Sequence, residues 1–344
     1  MGEGNYGAPR IIDAFLANDE IELARFRIQY LKSHVDLVVI GESKVTFRGN
    51  KKPLVFSEWL TSTSDFSQRV VTVSLDLKGE DAWQRESSAR EGLLEFLIEN
   101  YPEDGYIISD LDEIPSRSQV ATMRKLRGDY HFHTPTFYRK ANWSTTDWNL
   151  RWNKAVFTTR SDKNWPNAGR HHKLPTFQSS ENGCHFSYLG FGAEQMRNKL
   201  KSFSHIELDS SDISDQVFLD YCDKFLIDHL GRIDSESFGL LRQLNFDELS
   251  DVARELFSYK PEYFHFGEIR ENKINRLFAS ALVSLVTGKS ILSKDAFNVI
   301  SKIRISQSRK LYLYCRCAVM ILKSLIKRQL RKLKNSQWQR QNEN

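Results

Sequence analysis

The sequence predicts an α/β protein with a mostly parallel central sheet, followed by a helical C-terminal extension. The first indication is a strand–helix–strand unit with a short return, spanning Arg10 to Ile40, which needs a right-handed crossover and so a parallel pair. The second is the composition of Val35–Ile40 (VDLVVI), whose nearly continuous apolar run suits a strand covered on both faces. The third is how these runs end. Val35–Ile40 breaks off into Gly41-Glu42-Ser43, and Tyr106–Ile108 leads into Asp110-Leu111-Asp112-Glu113 before Pro115. In open α/β sheets, the carboxyl ends of the strands are where ligands bind.

In chain order, Arg10–Leu16 reads as the first strand. Asn18-Asp19-Glu20 can cap the helix that follows, whose Ile21, Leu23, Phe26, Ile28 and Leu31 form a broad apolar face. Beyond Ser43 a polar loop, Lys44–Pro53, leads to Leu54–Phe56, and Val70–Leu75 is a further strand candidate. Trp83–Asn100 reads as a helix with Leu93, Leu94, Phe96 and Leu97 inward. Its early turns carry Arg85 and Arg90, with Glu86–Arg90 spaced for an i,i+4 pair worth a few tenths of a kcal/mol. In YIISDLDEIP two carboxylates, Asp110 and Asp112, lie one residue apart on an extended segment and can face one pocket. Crowded like charges call for compensation. A hard divalent metal held partly by substrate phosphate supplies it, and so does the start of the helix near Ser116 if the segment is only an acidic turn.

Ser116–Gly128 reads as a short helix capped by Ser and stopped by Gly, and Tyr130–Tyr138 alternates like a half-exposed strand. Trp143, Trp148, Trp152 and Trp165 stand among polar residues, where such rings either fill a core or stack on a sugar. Gly183–Tyr188 (GCHFSY), Gly190 and Gly192 precede a helix holding Lys199, and Ser202-Phe203-Ser204-His205 follows. His171 and His172 read as structural. Ser211–Leu230 reads as another helix, and residues 234–288 as helices and loops without motifs.

Composition bounds the chemistry. Cys184, Cys222, Cys315 and Cys317 form neither a zinc pattern nor a dense disulfide framework, which favours a reducing compartment. MGEGNYGAPR lacks the apolar stretch of a signal peptide or anchor, and no run reaches the roughly 18 apolar residues of a membrane span. The net charge is +5, yet the segment from Ala296 onward holds twelve Lys or Arg and one Glu, hence +11, which leaves −6 for residues 1–295. A mildly acidic body argues against a nucleic-acid-binding core.

IIDAFLANDEIELARFRI, VVIGESKVTFRGNKKPL, WQRESSAR, YIISDLDEIP and GCHFSYLG with KLKSFSHIE occur in one order over about residues 10–210, and together they resemble glycosyltransferase family 17. Cys184 stands where that family usually has Trp, and the N-terminal membrane anchor of its Golgi members is absent from this sequence. The resemblance implies a GT-A fold, a Rossmann-like nucleotide-sugar-binding domain. It also implies inverting transfer of a sugar, N-acetylglucosamine, from a UDP-sugar to a glycan or glycolipid acceptor, with Mn²⁺ or Mg²⁺. It implies that Asp112 contacts the metal, and that Asp110 binds the ribose or reaches the metal through water. Arg85 and Arg90 would pair with the diphosphate, and Glu42 would accept from uracil or ribose. His205 is the candidate third metal ligand. Glu194 and Glu207 are candidates for the general base, and Glu113 is expected to order the metal loop. Trp143, His185, Tyr188 and Lys199 are expected near the acceptor or sugar.

The corresponding division is a glycosyltransferase domain over residues 1–233, a helical extension over 234–300 and a basic tail over 301–344. On a helical wheel the tail places Arg309, Arg316, Lys323, Lys327, Arg331 and Lys334 along one stripe, which suits an interfacial helix on an anionic membrane as well as a packed terminal helix. The expectation is a cytoplasmic enzyme, peripheral on the membrane's cytoplasmic face, without nucleic-acid partners. Competing readings are a metal-dependent hydrolase or nucleotidyltransferase using the same aspartates, and an inactive sugar-binding or membrane-scaffold protein of the same fold.

Overall fold

A computed structural model describes residues 10–62, 69–145, 153–205, 216–230, 240–268, 276, 279 and 280. The chain divides into two compact units, the first comprising Met1–Ile206 with Gln243–Phe266 and the second Glu207–Arg242 with Gly267–Asn344. In the first unit the chain runs β1 (Ile11–Leu16), α1 (Ile21–Leu31), β2 (Leu37–Glu42), α2 (Val55–Ser62), β3 (Val70–Ser74), α3 (Ala82–Asn100) and β4 (Gly105–Asp110). It continues through β5 (Glu113–Ile114), α4 (Arg117–Met123), β6 (Asp129–His131), β7 (Thr136–Tyr138), β8 (Trp143–Thr145), β9 (Val156–Thr158), β10 (Cys184–Ser187) and α5 (Ala193–Ser202).

The first sheet has six strands in the order β3-β2-β1-β4-β9-β6. β3, β2, β1 and β4 are mutually parallel, whereas β9 runs antiparallel to both β4 and β6. The architecture is therefore mixed α/β, with a parallel half that the strand–helix–strand spacing anticipates. Both faces of β1 are covered. Ile11 and Phe15 join Phe26, Ile28 and Leu31 of α1 in one core, while Ile12 and Ala14 join Leu93, Leu94 and Leu97 of α3 in another. Alternate residues of a strand point to opposite faces, so a strand clad on both sides reads as a continuous apolar run. Truncating a fully buried leucine such as Leu93 in such a core costs about 2–5 kcal/mol.

In the second sheet β8, β7, β10 and β5 lie side by side in that order. β10 runs parallel to β7 and antiparallel to β5, with His185 opposite Glu113. Only Leu111 and Asp112 separate β4 from β5, so the Asp-x-Asp segment is the point where the chain crosses between sheets. Gly183, just before β10, has to be glycine, because a Cβ there would lie 2.3 Å from the Ile114 carbonyl oxygen. Cys184 is fully buried with its Sγ 3.1 Å from the Ser250 hydroxyl, and burial pushes its thiol up to about 12.

Several local expectations change. α1 starts at Ile21 with Glu20 at its N-cap, and Glu20 makes no side-chain capping hydrogen bond. α2 forms just past the polar loop, in a stretch to which the sequence reading gives no helix, and the N–H groups of Phe56 and Ser57 in its first turn are satisfied from outside, by Glu42. Tyr130–Tyr138 is not one half-exposed strand. It divides into β6 and β7, which belong to different sheets, and Phe132, Thr134, Phe137 and Tyr138 are all buried. α4 carries the expected Ser cap, completed as a capping box by Gln119.

A later helix of the first unit, following α6 (Gln216–Phe225) of the second, is α7 (Asp251–Tyr259). Tyr30 of α1 donates a 2.7 Å hydrogen bond to Asp251 of α7. Within the second unit, Cys222, Ile227, Leu240 and Ala279 form a small core. Among the described residues no helix is long and apolar enough to cross a membrane. Trp148, Trp152, Glu207 and the basic tail lie outside the described residues, as does much of the expected helical extension.

Candidate active site

The Asp-x-Asp crossing is held from beneath by an arginine that the sequence reading passed over. Arg27 of α1 is completely buried, and its Nε and Nη2 donate to both carboxylate oxygens of Asp13 on β1. Its Nη1 donates to the backbone carbonyls of Asp110, Leu111 and Glu113 at 2.8, 3.1 and 3.1 Å, and its Nη2 reaches Ser109 at 2.8 Å. One guanidinium thus fixes the backbone of the whole turn, a use for which arginine's planar array of donors is suited. Asp13 pairs with the charge, which would otherwise be prohibitively costly at this depth.

A second layer fixes the side chains. Arg170 donates from Nη2 to Asp110 at 2.7 Å, and to Glu113 from Nη1 at 2.9 Å and Nη2 at 2.8 Å. Arg90 of α3 donates to the other oxygen of Asp110 at 2.8 Å, and is itself paired with Glu86 at 2.8 Å and bonded to Asn167 at 3.2 Å. Arg170 is delivered by an unusual turn. Asn167, Ala168 and Gly169 all have positive φ, at 51°, 47° and 75°, and such strain is characteristic of segments that position functional groups. Burial would raise the Asp110 carboxyl, but Arg170 and then Arg90 outweigh it and hold the group well below the usual carboxylate range.

Asp112 is handled differently. Its backbone carbonyl accepts from Phe186 of β10 at 2.8 Å, which leaves the side chain between two basic groups at longer range. His185 Nε2 lies 3.7 Å from one oxygen, and Lys199 Nζ lies 3.7 Å from the other. Burial would raise this carboxyl too, and His185 followed by Lys199 brings it below its ordinary value. Lys199 also contacts Glu20 at 3.3 Å, and its ammonium lies 5.3 and 5.4 Å from the rings of Tyr188 and Phe191. Against the effect of burial, Glu20 and Asp112 raise the lysine above its usual value.

The other residues singled out by sequence occupy varied positions. Glu42 is buried and accepts from the backbone N–H groups of Phe56 and Ser57 at 3.0 and 2.7 Å and from the Ser57 hydroxyl. Arg85 donates to the carbonyls of Phe47, Gly79 and Glu80, and so ties two loops together. His205 lies edge-on to Trp83 with ring centroids 4.6 Å apart, while neighbouring Ser204 donates to Glu86. Trp143 is buried in β8 with its ring against His265, and Trp165 is buried in the α3-facing core. Tyr188 is buried and adopts a φ of 56°. Glu194 is exposed in the first turn of α5, five residues and hence about 140° around the helix from Lys199.

Among the described residues no three His, Cys, Asp or Glu side chains converge as a metal cage. Asp110 has both oxygens engaged by arginines, so a cation here would take a single protein carboxylate, Asp112. That donor set fits a hard divalent ion shared with a phosphate-bearing ligand, since Mg²⁺-like ions commonly bind through one or two carboxylates plus substrate phosphates.

The profile of glycosyltransferase family 17 matches residues 4–221. The chain belongs to glycosyltransferase family 17. Among characterised relatives, the β-1,4-mannosyl-glycoprotein 4-β-N-acetylglucosaminyltransferases of Homo sapiens and Rattus norvegicus are each 33% identical over 129 residues, covering 35% of this chain and 24% of the relative. The Mus musculus protein of the same name is 32% identical over the same length. The chain thus spans about a quarter of the length of these relatives. The crystal structure of HddC from Yersinia pseudotuberculosis aligns with a TM-score of 0.30 and 8% identity, over 52% of this chain and 91% of that one, a likeness too slight to carry an argument.

Proposed function

We propose that this chain transfers a sugar, N-acetylglucosamine, from a UDP-sugar to a glycan or glycolipid acceptor with inversion at the anomeric carbon, on a GT-A-type fold. The parallel order β3-β2-β1-β4 supports the fold reading, because it brings the carboxyl ends of four strands to one edge. A single observation carries the functional reading. The Asp-x-Asp turn is rigidly held by Arg27, Arg90 and Arg170, yet among the described residues the Asp112 side chain meets basic groups at longer range, His185 and Lys199. Such an arrangement suits a carboxylate reserved for a ligand-borne cation.

In this reading Asp112 holds Mn²⁺ or Mg²⁺. When bound, the ion offsets the negative charge that builds on the departing UDP. Asp110 and Glu113 keep Arg170 and the turn in register. Arg85 and Arg90, both carried by α3, are the candidates to pair with the diphosphate, for which arginine's fork is suited. An inverting reaction also needs a base at the acceptor hydroxyl, and Glu194 is our candidate. The basic tail is proposed to bring the enzyme to an anionic membrane surface.

The test is UDP release and glycoside formation from UDP-N-acetylglucosamine, acceptor glycans and Mn²⁺. Asp112→Asn should lower turnover at least 100-fold in a protein that still folds, since the ion's contribution to leaving-group stabilisation is typically several kcal/mol. Near-wild-type turnover of Asp112→Asn at saturating Mn²⁺ would defeat the assignment.

A further inference from the structure

We infer that Lys199 controls when the divalent cation can enter. Its ammonium, resting on Glu20, balances the charge of the Asp112 carboxylate until the donor diphosphate arrives, so that cation and donor bind together and not independently. This rests on reading Asp112 as the cation's carboxylate, and goes beyond it by assigning the site's order of occupation to one residue.

The observations are geometric. Lys199 is largely buried and stands between two carboxylates, 3.3 Å from Glu20 and 3.7 Å from Asp112. The Tyr188 and Phe191 rings lie close to its ammonium. The closer contact is to Glu20, so Lys199 has a resting partner that does not depend on Asp112. The contact to Asp112 is beyond hydrogen-bonding distance, which makes Lys199 a counter-charge to that carboxylate and not a fixed ligand of it. His185 stands at the same range from the other Asp112 oxygen. A divalent ion arriving alone meets a carboxylate whose charge is already balanced, with an ammonium beside the position it needs. Arrival of a diphosphate changes that balance. It supplies oxygens for the ion and an alternative partner for the ammonium, whose long flexible stem and rotatable donors allow it to turn from carboxylate to phosphate. Cation and donor then favour one another by the same factor, as binding linkage requires.

The experiment is a Mn²⁺ titration of the full chain, in which electron paramagnetic resonance reads the free ion, with and without UDP. Thermal melting confirms that each variant is folded. For the wild type, UDP should tighten Mn²⁺ binding at least tenfold. In Lys199→Met, Mn²⁺ without UDP should bind about tenfold more tightly than to wild type, and the gain from UDP should shrink. Glu20→Gln provides a second variant that leaves the lysine in place. Removing the resting partner should settle the ammonium on Asp112 and weaken binding of Mn²⁺ alone. Lys199→Met binding Mn²⁺ alone no more tightly than wild type would overturn the inference, as would Glu20→Gln binding it more tightly. The underlying reading fails separately. Asp112→Asn would then bind Mn²⁺ with UDP as well as wild type does, whatever Lys199→Met shows.

Discussion

β2 and β4 flank β1 in the same sheet, and each runs through apolar residues to a carboxylate at the same end. By position alone Glu42 and the Asp110–Asp112 pair read alike, as acids where a strand ends, but their surroundings separate them. Glu42 is met by the free N–H groups at the start of α2 and is consumed as a cap from outside the helix. The β4 end is followed by a two-residue crossing into another sheet, and its stabilisation comes from arginines beneath it, which hold the backbone and Asp110 and leave Asp112 to basic groups at longer range. An acid at a strand's end is therefore structural when a helix start lies within reach. It becomes available to a ligand when other groups have taken over the structural work.

The largest expected effect comes from removing that support. Arg27→Leu leaves Asp13 buried without its partner and strips three carbonyls of their donor. Breaking a buried pair in this way costs about 3–5 kcal/mol, which should lower the melting temperature by about 10 °C or more and abolish UDP binding. A variant that melts like wild type would mean that the crossing does not depend on this arginine.

Acid should act on the same region next. Asp110 and Asp112 are both held below their ordinary values in the folded protein. Their contribution to stability is then present above the unfolded value of about 3.9 and is lost as the pH falls through the lower folded values. Melting temperature should fall as the pH drops below about 4, and Asp110→Asn should flatten that decline. An undiminished acid slope in Asp110→Asn would place the sensitivity elsewhere.

The smallest effect sharpens the contrast from the β2 side. Glu42→Gln weakens a charged cap and should cost about 1–2 kcal/mol, leaving UDP affinity untouched in an equilibrium binding assay. Weakened UDP binding at unchanged stability would return Glu42 to the nucleotide role that its sequence position suggests.

What could be read from the sequence follows from the range of the interactions. The β1–α1–β2 unit, the α3 helix and the Asp-x-Asp segment are encoded in local periodicity and in the abrupt change from apolar to acidic residues. Arg90 stands out through its i,i+4 partner Glu86. Arg27 and Arg170 offer no such signal. Arg27 interrupts an otherwise apolar helix face and contacts carbonyls more than 80 positions away, and Arg170 reaches Glu113 across 57. The only local cue for Arg170 is the Asn-Ala-Gly turn before it, and a turn reveals nothing about where its next side chain points. α2 was missed for a related reason, since its capping carboxylate is 14 residues upstream.

The two basic neighbours of Asp112 belong to one short stretch of chain. His185 lies on β10 and Lys199 on α5, joined through Tyr188 and Gly190, both with left-handed backbone. Mechanically this stretch is a single arm anchored by β10 to both β5 and β7. A loop exchange or an insertion between Ser187 and Ala193 would reset the separation of the two basic groups without touching either of them. The charge balance at Asp112 is thus open to tuning through the length of this connection, with both basic residues left as they are.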